Sequence, residues 1–251
     1  MAKRPVHALA NGDGDAEGDE AANGSRTLIE RAYAQLREDI VEGRLAPDEK
    51  LRVEHLKDRY AVGAGTLREA ITRLVSDALV VAEAQRGFRV APIALEDLED
   101  LTRLRVHIEI EALRQSIRLG GAGWRGRLVA AFEEMSAVEQ PLQPTDARRW
   151  EALNSRFHET LVTGVDSPWT LKVLRQLARH GERYRRYAIG LVDSGRNVHD
   201  EHQQIFDLAM AGQEARAALA LEAHIRATPD LLRRHYREGL AAHPGLARCA
   251  M

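Results

Sequence analysis

The chain has 251 residues, of which 44% are hydrophobic and 29% charged, enough to form the core of two domains or of one large domain. Its formal net charge of −2 excludes attraction to nucleic acid by bulk positive charge, but not by local basic residues. The single cysteine, Cys249, excludes an intramolecular disulfide, and the sequence shows neither a signal peptide nor an apolar stretch of membrane-helix length. These features predict a cytoplasmic protein.

The N-terminal 25 residues are rich in Gly, Ala, Asn, Asp and Glu, and five acidic residues lie between positions 13 and 20. Such a stretch cannot bury enough apolar area to offset the entropy of ordering it. We therefore predict a disordered acidic tail over residues 1–25. Residues 241–251 are predicted to form a flexible C-terminus.

Residues 26–92 have the pattern of a winged helix-turn-helix. Apolar residues at helical spacing, small residues in the turns and two short β-like runs predict its elements. These are a first helix that begins at Thr27 and is ended by Gly43, helices over 53–60 and 66–77, and strands over 79–81 and 88–90. A module of this kind places its third helix in the DNA major groove and its wing in the neighbouring minor groove.

Six residues of this module are candidates for DNA contact. Arg68 is the outward side chain nearest the start of the third helix, and its fork matches guanine O6 and N7. Gly87 lets the wing backbone approach a groove wall, where Arg86 could read a narrow minor groove. Arg37 and Arg73 are predicted phosphate contacts, and Thr66 could cap the helix or contact a phosphate or a thymine methyl group. Two alternatives remain: Arg73 pairs with Glu69 instead, or the module binds protein.

After Ala91-Pro92 the sequence is almost wholly helical. Gly and Pro residues divide it into helices over 95–119, 124–139, 146–164, 169–191, 196–211 and 213–238. The predicted fold class is therefore mainly α, with an N-terminal winged helix-turn-helix and a C-terminal all-α bundle of six or seven helices over 95–240.

Histidines in this helical region form a second group of candidate site residues. Asn154 and His158 lie four residues apart and project from one helix face, and His202 and His224 lie on two later helices. Three imidazoles and one oxygen ligand that converge would suit Zn²⁺ or Ni²⁺. Spacing alone favours another interpretation, because most histidines on amphipathic helices are ordinary polar residues with satisfied hydrogen bonds.

Residues 30–92 resemble the GntR family of bacterial transcription regulators. The match in order and spacing rests on Leu36-Arg37, Ile40-Val41-Glu42-Gly43-Arg44-Leu45-Ala46-Pro47, Leu67-Arg68-Glu69-Ala70 and Arg86-Gly87-Phe88-Arg89-Val90. The turn before the third helix departs from the family's Ser-Arg-Thr-Pro-like pattern, because Ala64 stands where the family often has a DNA-reading Arg. Arg68 and the wing are therefore expected to contribute more of the DNA sequence recognition.

Residues 98–238 are similar to the FCD-type effector domain of the FadR branch of that family. The resemblance implies four metal ligands, Asn154, His158, His202 and His224, with Asn154 in place of the usual carboxylate. It also implies a pocket for small carboxylates in which Arg105, of an Arg-x-x-x-Glu pattern with Glu109, binds the ligand bidentately. Further pocket candidates are Arg156, Arg183, Arg186 and His180.

The expected function is that of a ligand-responsive bacterial regulator, not an enzyme. It would bind a palindromic double-stranded DNA operator as a homodimer, under control of a small organic acid in a pocket that contains a divalent metal ion. One alternative is a metal-sensing regulator without an organic ligand. Another is a metal-dependent enzyme with Glu201, beside His202, as its base, which would leave the winged helix unexplained.

Overall fold

A computed structural model describes residues 15–139, 144–189 and 196–237 of the chain. In these ranges the elements are α1 (Asp15–Val41), β1 (Lys50–Leu51), α2 (Val53–Tyr60), α3 (Ala64–Ser76), β2 (Val80–Glu83), β3 (Gly87–Val90), α4 (Leu95–Leu119), α5 (Ala122–Glu139), α6 (Ala147–Val162), α7 (Pro168–Ile189), α8 (Val198–Met210) and α9 (Glu214–Arg237). A 3-10 turn, Pro144–Asp146, precedes α6. The predicted fold class, a winged helix followed by a helical bundle, is confirmed.

The N-terminal domain packs α1 across α3 and closes with a small antiparallel sheet of order β1-β3-β2. Its core includes Leu36 and Ile40 of α1 and Leu67, Ile71 and Leu74 of α3, all of which are almost fully buried. Strand β1 was not predicted, since two residues are too short to show alternation. It forms because the free edge of β3 offers backbone partners to it.

Two helix starts differ from their predictions. Helix α1 begins at Asp15, so residues 15–25 of the predicted tail are helical and continue the helix that packing nucleates at later residues. Helix α3 begins at Ala64 with Gly63 at its N-cap. Thr66 is therefore the third helical residue, and the prediction that it caps the helix is wrong. Residues 1–14 and 241–251 lie outside the described ranges.

The C-terminal domain is a bundle of α4 to α9, whose bounds agree with the predicted ones to within two residues. Helix α4 packs along α9, and α5 packs on α6 and α8. Phe157 of α6, Ile205 of α8 and Leu113 of α4 meet in the core with no exposed surface. None of the described helices is long and apolar enough to cross a membrane.

Charged side chains join the two domains where α1 faces α6 and α7. Arg37 of α1 forms an ion pair with Glu182 of α7. Glu42, at the end of α1, accepts hydrogen bonds from Arg186 at 3.0 Å and from Arg148 at 3.3 Å. The orientation of the DNA-binding module on the bundle therefore depends in part on ion pairs.

Candidate DNA interface and metal centre

The exposed face of α3 carries the first candidate site. Arg68 is exposed, and its side chain forms no hydrogen bond or ion pair with any residue that the structure describes. The inward positions of the same helix, including Leu67 and Ile71, are fully buried. Packing therefore fixes the helix and leaves the Arg68 guanidinium available to a ligand outside the protein.

The wing is a tight hairpin between β2 and β3. Three residues, 84–86, connect the strands, and Glu83 pairs with Gly87 across them. Gly87 has a φ of +94°, a conformation that L side chains rarely adopt, and a Cβ there would meet no atom within 4 Å. Arg86 is exposed at the tip. The tip thus combines an exposed basic side chain with a backbone that another molecule can approach closely.

The two arginines predicted to contact phosphate form ion pairs within the protein. Arg37 pairs with Glu182, in the other domain. Arg73 pairs with Glu30 at 2.7 Å, not with Glu69, and its guanidinium lies 4.5 Å from the centre of the Tyr33 ring. The structure thus gives both arginines a role in packing α1 against its neighbours.

In the bundle, the three predicted histidines meet at one point. His158 of α6, His202 of α8 and His224 of α9 each offer a ligand nitrogen, and these nitrogens all lie within 4.8 Å of one another. The Nε2 atoms of His158 and His224 are 3.1 Å apart, and the buried Nε2 of His202 has no hydrogen-bond partner among the described residues. Nitrogens bound to a single ion at about 2.0–2.1 Å lie roughly this close together. The three side chains therefore fit a metal ion.

A carboxylate contacts each of these histidines at Nδ1. The Nδ1 atoms of His158, His202 and His224 lie 3.2, 2.7 and 2.8 Å from carboxylate oxygens. In the same order, the carboxylates belong to Glu109, Glu139 and Glu201. With Nδ1 engaged in this way, Nε2 faces the centre, which is how metal-binding histidines are normally oriented.

Burial and neighbouring charges shift the pKa values of His158, His224 and Glu109. Burial lowers the pKa of His158 to about 4, against the opposing effect of Glu109, and lowers the pKa of His224 well below its usual value. Burial tends to raise the pKa of Glu109, but Arg105 and His158 outweigh it, and the pKa falls to about 2. At neutral pH His158 and His224 are thus in the form that binds metal.

Asn154 is buried one turn before His158 on α6. Both residues line a small cavity of about 30 Å³ together with His224 and Arg105. The predicted oxygen ligand therefore lies beside His158 and His224, in a chamber with room for about one ion or water molecule. The other predicted pocket residues, apart from Arg105, do not line it.

A larger cavity of about 250 Å³ lies between α4, α6 and α7 and shares Arg105 and His158 with the small chamber. Arg105 donates to both oxygens of Glu109, at 2.6 and 3.3 Å, so the predicted ion pair is present. The apolar side of the cavity is formed by Val162, Leu171, Leu174 and Ala178. An organic molecule could lie there with one end beside His158.

The further pocket candidates lie elsewhere. Arg156 pairs with Glu134 on the surface, and Arg186 pairs with Glu42 across the domain boundary. Arg183 and His180 line neither of these two cavities. Arg183 is buried, with Nη2 unpartnered among the described residues.

Sequence reasoning missed Glu139, which holds His202 and also accepts a hydrogen bond from Trp150 Nε1 at 2.8 Å. It considered Glu201 only as an enzymatic base, whereas this residue lies against Nδ1 of His224. Glu139 is the last residue of a predicted helix, and Glu201 adjoins His202 in the sequence rather than His224. Neither position indicates which histidine the carboxylate contacts.

Comparison with known proteins agrees with the division into a winged helix and a helical bundle. Residues 28–90 match the family described as "Bacterial regulatory proteins, gntR family", and residues 100–227, half of the chain, match the FCD domain. The chain belongs to the GntR family, with an FCD effector domain. This GntR-family chain is accordingly a DNA-binding transcription regulator and not an enzyme.

Two curated relatives of this GntR-family regulator span most of its length. "Uncharacterized HTH-type transcriptional regulator BphR" of Paraburkholderia xenovorans (strain LB400) is 41% identical over 83% of this chain and 86% of the relative. "HTH-type transcriptional repressor GlaR" of Escherichia coli (strain K12) is 32% identical over 77% of this chain and 90% of the relative.

Solved structures show the same architecture. A GntR family member from Pseudomonas syringae pv. tomato str. DC3000 is 26% identical, with a TM-score of 0.51 over 88% of this chain and 89% of that one. The E. coli protein McbR/YncC has a TM-score of 0.67 over 83% of this chain and 98% of its own, at 16% identity. The second likeness concerns the fold alone.

Proposed function

We propose that this regulator binds a palindromic operator as a homodimer and is controlled by a small organic acid in a helical pocket that holds a divalent metal ion. The observation that carries the proposal is the histidine triad, whose Nε2 atoms converge while a carboxylate engages each Nδ1. Metal-binding histidines are normally oriented in this way by a carboxylate at the other ring nitrogen.

In this proposal His158, His202 and His224 hold the ion, and the Asn154 side chain offers its amide oxygen from the neighbouring turn of α6. A zinc or nickel ion would supply a position at which an oxygen of the effector binds. Because Asn154 carries no charge, the ligand set is neutral, and the ion keeps more of its positive charge for an anionic effector than it would beside a carboxylate.

Arg105 is the proposed protein contact of the effector. It lies between the small chamber and the larger cavity, and its pair with Glu109 fixes the direction of its guanidinium. Guanidinium groups suit carboxylates because their N–H groups match both oxygens. An effector in the larger cavity would thus meet Arg105 and His158 at its inner end.

Arg68 is the proposed contact to a DNA base, and Arg86 and Gly87 are the proposed contacts of the wing. Thr66, near the start of α3, is proposed to contact the phosphate backbone of the DNA. A two-fold dimer would present two such surfaces to the two half-sites of an operator. The effector would act by binding more tightly to one of two arrangements of the dimer than to the other. Since bacterial DNA lies in the cytoplasm, the proposed location is cytoplasmic.

The test combines three measurements on the purified full chain. Elemental analysis should find about one metal ion per chain, and a thermal-shift screen should find a class of small carboxylic acids whose stabilising effect a chelator reduces. Operators selected from a random duplex pool should have two-fold symmetric half-sites. A chain without metal, whose acid shifts ignore the chelator, would refute the metal-anchored pocket. A wild type that responds to metal but to no acid, and whose response to metal is unchanged by Arg105→Ala, would instead indicate a pure metal sensor.

A further inference from the structure

Of the three carboxylates that contact the histidine triad, Glu201 is the least confined by packing. Its side chain is 28% exposed, whereas the side chains of Glu109 and Glu139 are 6% and 3% exposed. Holding a glutamate side chain in one rotamer costs entropy, and a partly exposed carboxylate can turn toward water instead. Packing alone therefore does not keep Glu201 against Nδ1 of His224, from which it lies 2.8 Å away.

Arg196, which lies two residues before the start of α8, holds this carboxylate at two points. Its Nε donates to Oε1 of Glu201 at 2.7 Å, and its Nη2 donates to Oε2 at 2.6 Å. A two-point pair of this kind fixes the plane of the carboxylate as well as its position. The Arg196 side chain is itself only 16% exposed, so its guanidinium is confined in turn.

The same guanidinium also binds α9. Nη2 of Arg196 donates to the backbone carbonyl of His224 at 3.0 Å, and Nη1 donates to Oγ1 of Thr228 at 3.1 Å. Pro229 lies inside this helix, and an internal proline removes one N–H from the ladder of backbone hydrogen bonds in the preceding turn. Arg196 thus supplies donors to the turn of α9 that carries His224, and fixes that turn relative to Glu201.

These contacts determine which ring nitrogen of His224 carries the proton. Nη2 of Arg196 has two N–H groups, and they are accepted by Oε2 of Glu201 and by the His224 carbonyl. Nδ1 of His224 lies 2.8 Å from that same Oε2, an acceptor. Because a neutral imidazole has one N–H, Nδ1 donates it to Glu201 and Nε2 keeps the lone pair that a metal ion needs.

We propose that Arg196 is a positioning residue of the metal centre, which locks Glu201 in the orientation that sets the tautomer of His224 and directs Nε2 at the ion. This inference rests on the proposed function, because it takes the triad as the metal ligands. An arginine is always protonated and does not itself bind a metal ion. The affinity for metal therefore depends on the connection between α7 and α8, although the three histidines lie on α6, α8 and α9.

Arg196→Lys tests the proposal without changing the net charge, because lysine keeps the positive charge but lacks the planar fork. Competition with a chromophoric chelator, on the full chain, should show Zn²⁺ binding about tenfold weaker, the lower end of the usual effect of losing an outer contact of a metal ligand. Arg226→Lys is the matched control. This arginine lies on α9 two residues after His224 but pairs with Glu222 at 2.8 Å, so the variant should keep wild-type affinity.

A second measurement separates positioning from a general loss of structure. Nitrogen-15 NMR of the imidazole rings in the metal-free chain distinguishes a protonated Nδ1 from a protonated Nε2. In the wild type His224 should carry its proton on Nδ1, and in Arg196→Lys the two tautomers should mix. His158 and His202 should keep Nδ1 protonated in both chains, because other carboxylates contact them.

The inference is wrong if Arg196→Lys binds Zn²⁺ like the wild type, or if Arg226→Lys loses as much affinity. It is also wrong if Arg196→Lys binds more weakly while His224 keeps its proton on Nδ1, or if this variant loses its helical circular dichroism, since either result would indicate a merely structural role. A wild type that binds Zn²⁺ beside an unaffected Arg196→Lys refutes this inference alone. A wild type that does not bind Zn²⁺ refutes the proposed metal pocket, and the inference with it.

Discussion

At the scale of single residues, the feature that points most directly to metal binding is a buried imidazole nitrogen without a hydrogen-bond partner among the described residues. His202 is completely buried, its Nδ1 is held by Glu139, and its Nε2 has no hydrogen-bond partner in the described part of the chain. An unsatisfied buried polar atom costs about 1–3 kcal/mol. A metal ion at the centre of the triad would remove that cost, so the free energies of folding and of metal binding are linked through His202.

Glu139→Gln should therefore weaken metal binding although residue 139 does not itself reach the metal. The amide cannot take the place of the charged acceptor that orients His202, and losing such a partner typically reduces metal affinity about 10- to 100-fold. Competition with a chromophoric chelator measures the change. Glu134→Gln, on the exposed side of the same helix, is the control and should keep wild-type affinity. Equal affinity of both variants would contradict the role of Glu139.

Arg68→Ala should reduce affinity for a selected operator duplex by about 1–3 kcal/mol, the value of one good bidentate base contact. The melting temperature should stay unchanged, because the Arg68 side chain is exposed and has no hydrogen-bond or ion-pair partner among the described residues. Fluorescence anisotropy measures binding. Arg73→Ala removes the pair with Glu30 and should instead lower the melting temperature slightly. Unaltered operator affinity in Arg68→Ala would rule out its role in base recognition.

The sequence predicted the histidines of the site but not what holds them. His158 and His202 stand out because imidazoles are few and their spacing can be compared with a known pattern. Glu139 lies 63 residues from His202 in the chain, and only the packing of α5 on α8 brings the two together. The chain has 38 Asp and Glu residues, and nothing in the sequence indicates that Glu139 is the one that contacts His202.

At the scale of elements, one aspartate ties the first helix to the helix-turn-helix. Asp39 of α1 accepts hydrogen bonds from Tyr60 at 2.5 Å, from Arg59 at 2.6 Å and from Arg44 at 2.6 Å. Burial tends to raise the Asp39 pKa, but the hydrogen bonds from Tyr60 and Arg44 and the charge of Arg59 lower it below its ordinary value of 3.8. The ionised form therefore stabilises the junction of α1 and α2.

Asp39→Asn should lower the free energy of unfolding by about 1–3 kcal/mol at neutral pH, because it removes the charge from a buried hydrogen-bonded acceptor. Since the folded-state pKa is lowered, this contribution is present above the unfolded pKa and is lost as pH falls through the folded one. Urea titrations from pH 7 to about 3 should therefore show a shallower acid loss in the variant. Glu38→Gln, at a more exposed neighbour, should cost under about 1 kcal/mol. An identical acid profile in Asp39→Asn would contradict this account.

Element boundaries were predictable where Gly and Pro interrupt strong helical periodicity. Helix α4 matches its prediction at both ends, between Pro92 and Gly120. The starts of α1 and α3 were not predictable, because small residues such as those around Gly63 are compatible with either a turn or a first helical turn. Tertiary packing decides between these two states.

At the scale of the whole molecule, the proposed metal centre joins three helices that are distant in sequence. His158, His202 and His224 lie on α6, α8 and α9. An ion bound there would act as a cross-link of the effector bundle, whereas the core of the winged helix, which α1 forms with α3, contains no part of the centre. The two domains should therefore respond differently to metal removal.

A chelator should lower the melting temperature of the bundle and leave that of the winged helix nearly unchanged. An ion present at about a hundredfold above its Kd stabilises the folded state by about 2.7 kcal/mol, and chelation removes this contribution. Calorimetry with and without chelator separates the two transitions. His202→Ala serves as the control and should be insensitive to chelator. A wild-type profile that does not change would show that metal contributes no stability.

The ion pairs between α1 and the bundle also affect how the DNA affinity of this protein should be interpreted. Binding to DNA weakens with salt because bound phosphates release counterions, and the slope is normally converted into a number of phosphate contacts. Here salt also screens Arg37–Glu182 and Arg186–Glu42, within the protein. The slope of the wild type would therefore include any change of these ion pairs on binding, together with the contacts to DNA. A phosphate count for this regulator becomes reliable only after the slope of an Arg37→Gln, Arg186→Gln double variant has been measured beside it.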